Sequence, residues 1–485
     1  MTAIPTNITA RPDGRRGAFA RVAAPWLRWG LMPAAAAVSF LSLGVDSPPS
    51  IPRVNLSPEP LYAKGTRDKP TLTLALSVEF PTVGAQYVSS PGATVDSSYS
   101  PDTEYIGYFD ADSCYAYVND SNPGRSRFDR IGTATSRRCG GSGFSGNFMN
   151  WATSSAIDVL RLGLTGGDRI VDEANLTVLQ RAVLPAVFWN SQNFPAKQLG
   201  AALTADALPS TLIGTYGGDI WVANCVDRVS FGTSMSGSCD APGDNGNLGV
   251  RSEMATAVGS DTLTDDNFFY ARVKVCESDG SGHLLDPRID RCLKYPSGNY
   301  KPVGNLQKYS DRVRVAAFGY LMENVQSRYG GVLRAPMKYV GPKAYDPSGT
   351  ALAGTNAAIE WNQNDGTFVA NPDAATEGKS GVINYLNQFG RTGTTPGTYK
   401  TYDPVGELYY ESLRYLQGLP PTPQATDGMT DAMKDGFPVY GSWIDPHEGG
   451  SKDKDYSCLR NNILLIGDVN THNDKSIPGN TTRLL

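Results

Sequence analysis

Near the carboxyl end, Asp468-Val469-Asn470-Thr471-His472-Asn473-Asp474 sets polar, mostly oxygen-bearing side chains at every second position. Loops that coordinate Mg2+ or Ca2+ often have this spacing, because hard cations take carboxylate and carbonyl oxygens from successive outward-pointing residues. The loop is not an EF-hand, since the expected glycine is missing and the twelfth position is Gly479 in place of glutamate. A metal held at Asp468 would need further ligands, and Ser77, Glu79 and Thr82, which follow an early apolar run, are the available ones. The competing reading is a polar surface loop.

His447, within Asp445-Pro446-His447-Glu448, is a candidate general base, and Glu407 and Asp468 are candidate carboxylates for a secreted hydrolase or carbohydrate-active enzyme. The chain has only three His, however, and no G-x-S-x-G, H-E-x-x-H or C-x-x-C signature. Glu407 and Glu411 lie one helical turn apart, where a solvated helix face pairing Glu411 with Arg414 is the far better explanation. Gly378-Lys379-Ser380 ends like a phosphate loop, but its first position is Asp373 where glycine is needed. Catalysis is therefore the weaker expectation.

The elements that must position these residues follow from periodicity. Thr71 to Val78 reads as a buried central strand ending at Pro81, and Asn461 to Asp468 as another, so the polar loop sits at a strand's carboxyl end. Arg312 to Gly319 alternates as a strand. Ser89 to Asp102 reads as a loop, and Tyr105 to Tyr117 as a hairpin. Asn147 to Gly163 repeats apolar residues at helical spacing and should stop at Gly166-Gly167; a second helix is expected from Asp172 to Arg181. Further hairpins are expected from Gly330 to Val340 and around Asn364-Asp365-Gly366. Helices follow at Gly381 to Phe389 and Val405 to Leu419. This order predicts an α/β doubly wound sheet interrupted by β-rich insertions at about 90–145 and 205–300.

Composition places the chain outside the cytoplasm. Arg11, Arg15, Arg16, Arg21 and Arg28 face a single acid, Asp13, ahead of an apolar run from Trp29 to Leu43. That run is too short to span a bilayer and reads as an export signal over residues 1–45, followed by a Pro-rich linker over 46–69. Cys114 and Cys139, Cys225 and Cys239, and Cys276 and Cys292 fall into sequence-local pairs, the pattern of disulfides in an oxidising compartment, while Cys458 stands alone. A formal net charge of -5 gives no basic field for nucleic acid.

Five blocks in order resemble the PilY/PilC family of type IV pilus tip-associated adhesins and biogenesis factors. They are Phe144 to Thr153, Arg328 to Arg334, Ser380 to Asn387, Tyr399 to Glu411 and Ile466 to Lys475. The resemblance covers roughly residues 70 to 480. It implies a von Willebrand factor A-like domain over 70–485 that lacks the family's C-terminal β-propeller, and a chain that stops before such a domain is complete. The non-functional truncated fragment is the bland alternative. It also implies an exported, non-enzymatic protein at the periplasm, outer cell surface or pilus tip. Its partners would be minor pilins and a host or surface receptor. Many A-type domains hold a divalent ion with a D-x-S-x-S loop, but here that loop reads Leu76-Ser77-Val78-Glu79-Phe80-Pro81-Thr82 and the first Asp is absent. Asp468, Ser77 and Glu79 are what remain as ligands for Mg2+ or Ca2+.

Overall fold

The computed structural model describes residues 69–235, 239, 268–288, 290–323, 329–346, 350–447, 459–467, 471–472, 474 and 476–478. The expected signal, nearly all of the linker, Cys458 and Asp468 lie outside the described residues.

The apolar run after Pro70 forms β1 (Thr71–Leu76). The chain then builds β2 (Val95–Asp96), β3 (Ser113–Val118), β4 (Arg127–Thr133), β5 (Phe144–Ser145), α1 (Gly146–Thr153), α2 (Ala156–Thr165), β6 (Arg169–Glu173), β7 (Leu176–Gln180) and β8 (Ala196–Leu199). Next come α3 (Thr204–Ala207), α4 (Ser210–Tyr216), β9 (Ile220–Cys225), β10 (Arg228–Gly232), β11 (Phe268–Tyr270), β12 (Arg272–Lys274), β13 (Cys292–Lys294), β14 (Tyr300–Pro302) and α5 (Asn305–Lys308). Only then does it return beside β1 as β15 (Arg314–Gly319), followed by β16 (Val332–Lys338), α6 (Val382–Gln388), α7 (Val405–Leu416) and β17 (Asn461–Ile466).

The central sheet has the order β16-β15-β1-β17, with β1 parallel to both β15 and β17 and β16 antiparallel at one edge. Its inner strand β1 is almost wholly buried, as a parallel strand covered on both faces must be. Two neighbouring residues locate the covering helices. The Phe318 ring meets Tyr415 of α7 with centroids 5.6 Å apart. A Cβ on Gly319 would lie 1.9 Å from the Tyr385 hydroxyl of α6. Successive strand residues point to opposite faces, so α6 and α7 cover opposite sides of the sheet.

Helix α6 is held by charges from outside it. Its first N–H groups, on Val382 and Ile383, donate to the Glu360 carboxylate at 2.8 and 2.7 Å, while Arg161 donates to the carbonyls of Leu386 and Phe389 at 2.8 and 3.2 Å. Negative charge at the amino end and positive charge at the carboxyl end both match the helix dipole.

Between β1 and β15 the chain forms a six-stranded sheet, β5-β3-β4-β12-β7-β6, and a five-stranded one, β11-β10-β9-β8-β2. They share an aromatic core in which Phe128, Phe144, Phe231 and Phe269 meet at 5.1 to 6.2 Å. Disulfides join Cys114 to Cys139, Cys225 to Cys239 and Cys276 to Cys292, the pairs suggested by their spacing.

Several local expectations are corrected. Residues 172–181 form no helix: β6 and β7 make a hairpin turning at Ala174-Asn175, in which Val171 pairs with Val178, β-branched residues that favour strands, and Asp172 with Thr177. The helix expected from Asn147 to Gly163 is two helices, interrupted where Ser155 opens a capping box with Asp158. Its stop is as expected: Gly166 takes φ +85°, and a Cβ there would sit 2.6 Å from the Pro302 carbonyl carbon. The hairpin expected from Tyr105 to Tyr117 forms later, between β3 and β4, since Tyr105 to Asp110 is tied instead to the side chains of Asn147, Asn150 and Tyr115. Residues 330–340 give one strand, β16, paired with β15. The last strand, expected to be buried, lies at the edge of its sheet among the described residues, with Leu464 39% and Leu465 40% exposed.

Candidate functional site

The carboxyl ends of β1 and β17 lie side by side in register, Leu76 opposite Ile466. In open α/β sheets this is where side chains from different loops converge. Three loops meet here: the one after β1 with Glu79, the one before α7 with Lys400 and Asp403, and the polar loop after β17 with Thr471, His472 and Asp474. One ligand atom from each of Glu79, Asp403 and His472 lies within 4.8 Å of the others, with Glu79 and Asp403 buried and His472 exposed. Beside them Lys400 and Glu323 form a buried ion pair at 3.1 Å.

The polar loop grips the start of α7. Pro404 precedes that helix and offers no side-chain cap, so the first N–H groups need acceptors from elsewhere. Asp474 supplies them, its two oxygens accepting from Gly406 N at 2.9 Å and Glu407 N at 3.0 Å. Thr471 Oγ1 accepts from Val405 N at 3.2 Å and donates to the Asp403 carbonyl at 3.0 Å. His472 donates its N–H to that carbonyl at 3.0 Å and places Nδ1 2.7 Å from Asp403 Oδ1. Thr471 and Asp474 of this polar loop thus do a capping job, a use that the loop's composition alone does not distinguish from metal ligation.

Glu407 and Glu411 do not form the solvated helix face expected of them. Glu407 accepts from Gly330 N at 2.9 Å and Ser476 N at 3.0 Å, and Glu411 from Tyr329 Oη and Thr422 N, each at 3.0 Å. Arg414 stands 3.9 Å from Glu411, so it is the lesser partner. Burial pushes the Glu407 carboxyl above its ordinary value, and the two N–H donors pull it only partway back. Its oxygens therefore serve the backbone of two loops. His447 is similarly engaged, with Nδ1 3.1 Å from Asp445 Oδ1 and Nε2 3.0 Å from Asn461 Oδ1.

Of the sequence-expected ligands, Glu79 reaches the cluster, Ser77 is buried near the Tyr320 phenol without a hydrogen bond to it, and Asp468 lies outside the described residues. Burial raises that phenol well above its ordinary value. Asp403 and Lys400 were not singled out by sequence reasoning, although both fall inside the conspicuous run Tyr399 to Glu411; a carboxylate next to the helix-starting Pro404 was the available signal.

These features define a class: an α/β protein with a largely parallel central sheet, helices on both faces and disulfide-stapled β structure between its first two parallel strands. Comparison with known sequences makes this specific. Residues 96–207 match the family described as "PilY1 homolog, small alpha/beta domain", and residues 325–484 match "PilY1 homolog, second domain". The chain belongs to the PilY1 homologue family. It is 35% identical over 454 residues to a type IV pilus biogenesis factor PilY1 homolog of Xylella fastidiosa (strain Temecula1), covering 88% of this chain and 34% of that protein. A second protein of the same description from that organism is 25% identical over 446 residues, covering 79% of this chain and 27% of its own length. The chain thus spans about a third of the length of these relatives. No solved structure matches.

Proposed function

We propose that this chain acts in type IV pilus biogenesis as an exported, non-enzymatic protein that works through protein contacts at the pilus tip and in surface attachment. The observation that carries this reading is the 35% identity over 454 residues to a protein described as a pilus biogenesis factor. Three disulfides support export to an oxidising compartment. Among the described residues no helix is long and apolar enough to cross a membrane. The sheet with a helix on each face is compatible with an A-type domain whose insertions carry the family's small α/β unit. Minor pilins are the partners this reading names. Deleting the gene should abolish surface pili and twitching, and re-expression should restore both; normal pili in the deletion strain would overturn the reading.

The convergence of Glu79, Asp403 and His472 favours a second, compatible role for the same loops, binding a divalent ion. The standard A-type donor set does not fit, because the first Asp is absent. Two carboxylates and an imidazole instead suit Zn2+ or Mn2+ better than Mg2+ or Ca2+, which prefer oxygen alone. Calorimetric titration with each of the four ions tests it: heat with Zn2+ or Mn2+ that disappears in His472→Ala is expected, and no heat with any of them refutes it.

A further inference from the structure

Lys338 ends β16 with its ammonium between two carboxylates of the segment that leads to α6. Its Nζ lies 2.9 Å from Glu360 Oε1 and donates to Asp373 Oδ1. The side chains of Lys338, Glu360 and Asp373 are 12%, 0% and 10% exposed, so bulk water is nearly excluded from all three. Among the described residues Lys338 is the one cation paired with either acid. The acids themselves are held differently. Glu360 accepts from the N–H groups of Val382 and Ile383, which fixes it at the head of α6. Asp373 has Lys338 on Oδ1 and, on its buried Oδ2, no hydrogen-bond partner. Its N–H donates to Ser380 Oγ at 2.8 Å. Gly381, at φ +97°, lets this stretch close on Glu360, since a Cβ there would lie 2.7 Å from Pro372 Cγ and 3.0 Å from Glu360 Cδ.

We infer that Lys338 and Asp373 join after folding in an intramolecular amide, with Glu360 as the catalytic residue that moves the proton. A buried ion pair bears a desolvation cost that its attraction often fails to repay, and a neutral amide removes it. An amine held against a carboxyl group also reacts as if each were at very high concentration. Burial works against the Lys338 ammonium, but the two carboxylates outweigh it and raise its value, so the amine attacks only once Glu360 has taken a proton from it. Nζ then bonds to Asp373 Cγ, and one Cγ–O bond breaks. Two of the three ammonium protons leave with that oxygen as water, relayed by Glu360, and the third stays on the amide nitrogen. One positive and one negative charge vanish together, Glu360 ends as it began, and no oxidant, reductant or cofactor is needed. The bond joins residues 35 apart in a part of the chain that the three disulfides leave unstapled.

The test is tandem mass spectrometry of a tryptic digest of the full chain, with its disulfides reduced. Lys338 should resist trypsin and be recovered joined to the peptide that carries Asp373, the pair lighter by one water than its separate parts. Lys338→Arg keeps the charge and the ion pair but has no primary amine, and should yield only separate peptides. Glu360→Gln should slow formation of the joined peptide by roughly a hundredfold or more in a pulse-labelled time course. The wild-type digest decides the linkage without depending on how any variant folds. Lys338 cleaved normally, with the Asp373 peptide at its full mass, overturns the inference and leaves a plain ion pair. Undiminished linkage in Glu360→Gln overturns the role given to Glu360.

Discussion

Asp474 shows how one side chain can be ambiguous in sequence and plain in structure. Its carboxylate accepts two N–H groups at the start of α7, where the helix has no cap of its own. Asp474→Ala should cost about 1 kcal/mol in urea denaturation, with Asp474→Asn retaining most of it; equal midpoints for wild type and Asp474→Ala would remove the capping role. Asp435 offers a test by pH. Burial raises its carboxyl to about 6 from an ordinary 3.8, against the pull of the Gly390 N–H. The folded state then holds that proton more tightly than the unfolded chain does. Its contribution is full below the ordinary value and is lost as pH rises through 6, a change of roughly 3 kcal/mol at most. Asp435→Asn should therefore gain stability relative to wild type as pH rises from 4 to 7, and a pH-independent difference would contradict the assignment. Neither group was legible beforehand, because a helix-capping partner and a buried carboxyl both depend on segments distant in sequence.

At the scale of elements, legibility tracked how local the determining forces are. β1, β15, α6 and α7 were foreseeable from short runs whose burial pattern agrees with their period, and the three Cys pairs from spacing. The β6–β7 hairpin was mistaken for a helix because its turn, Ala174-Asn175, lacks the glycine that usually marks one. The break at Ser154-Ser155 was missed although Asp158 stands three residues after Ser155, the capping-box spacing. The exposure of β17 was not legible at all, since an apolar run states what a strand could bury and not whether a neighbour is present. Each disulfide closes a loop of 14 to 25 residues within the β structure between β1 and β15. Replacing both Cys114 and Cys139 by Ser should cost roughly 3 kcal/mol, seen as a lower thermal midpoint. An unchanged midpoint would mean that the aromatic core alone holds the six-stranded sheet.

For the whole molecule, the central sheet and its stapled β structure build a scaffold in which Glu407, Glu411 and Asp474 bind the backbone of neighbouring segments. The candidate site was half legible: Glu79 and the loop containing His472 were identified, while Asp403 emerged only when the fold brought the segment before α7 against them. The central claim is participation in pilus assembly, and the most direct measurement is surface piliation in a deletion strain carrying the gene back on a plasmid. The account predicts loss of pili and twitching on deletion and recovery of both on complementation. Full piliation without the gene would contradict it.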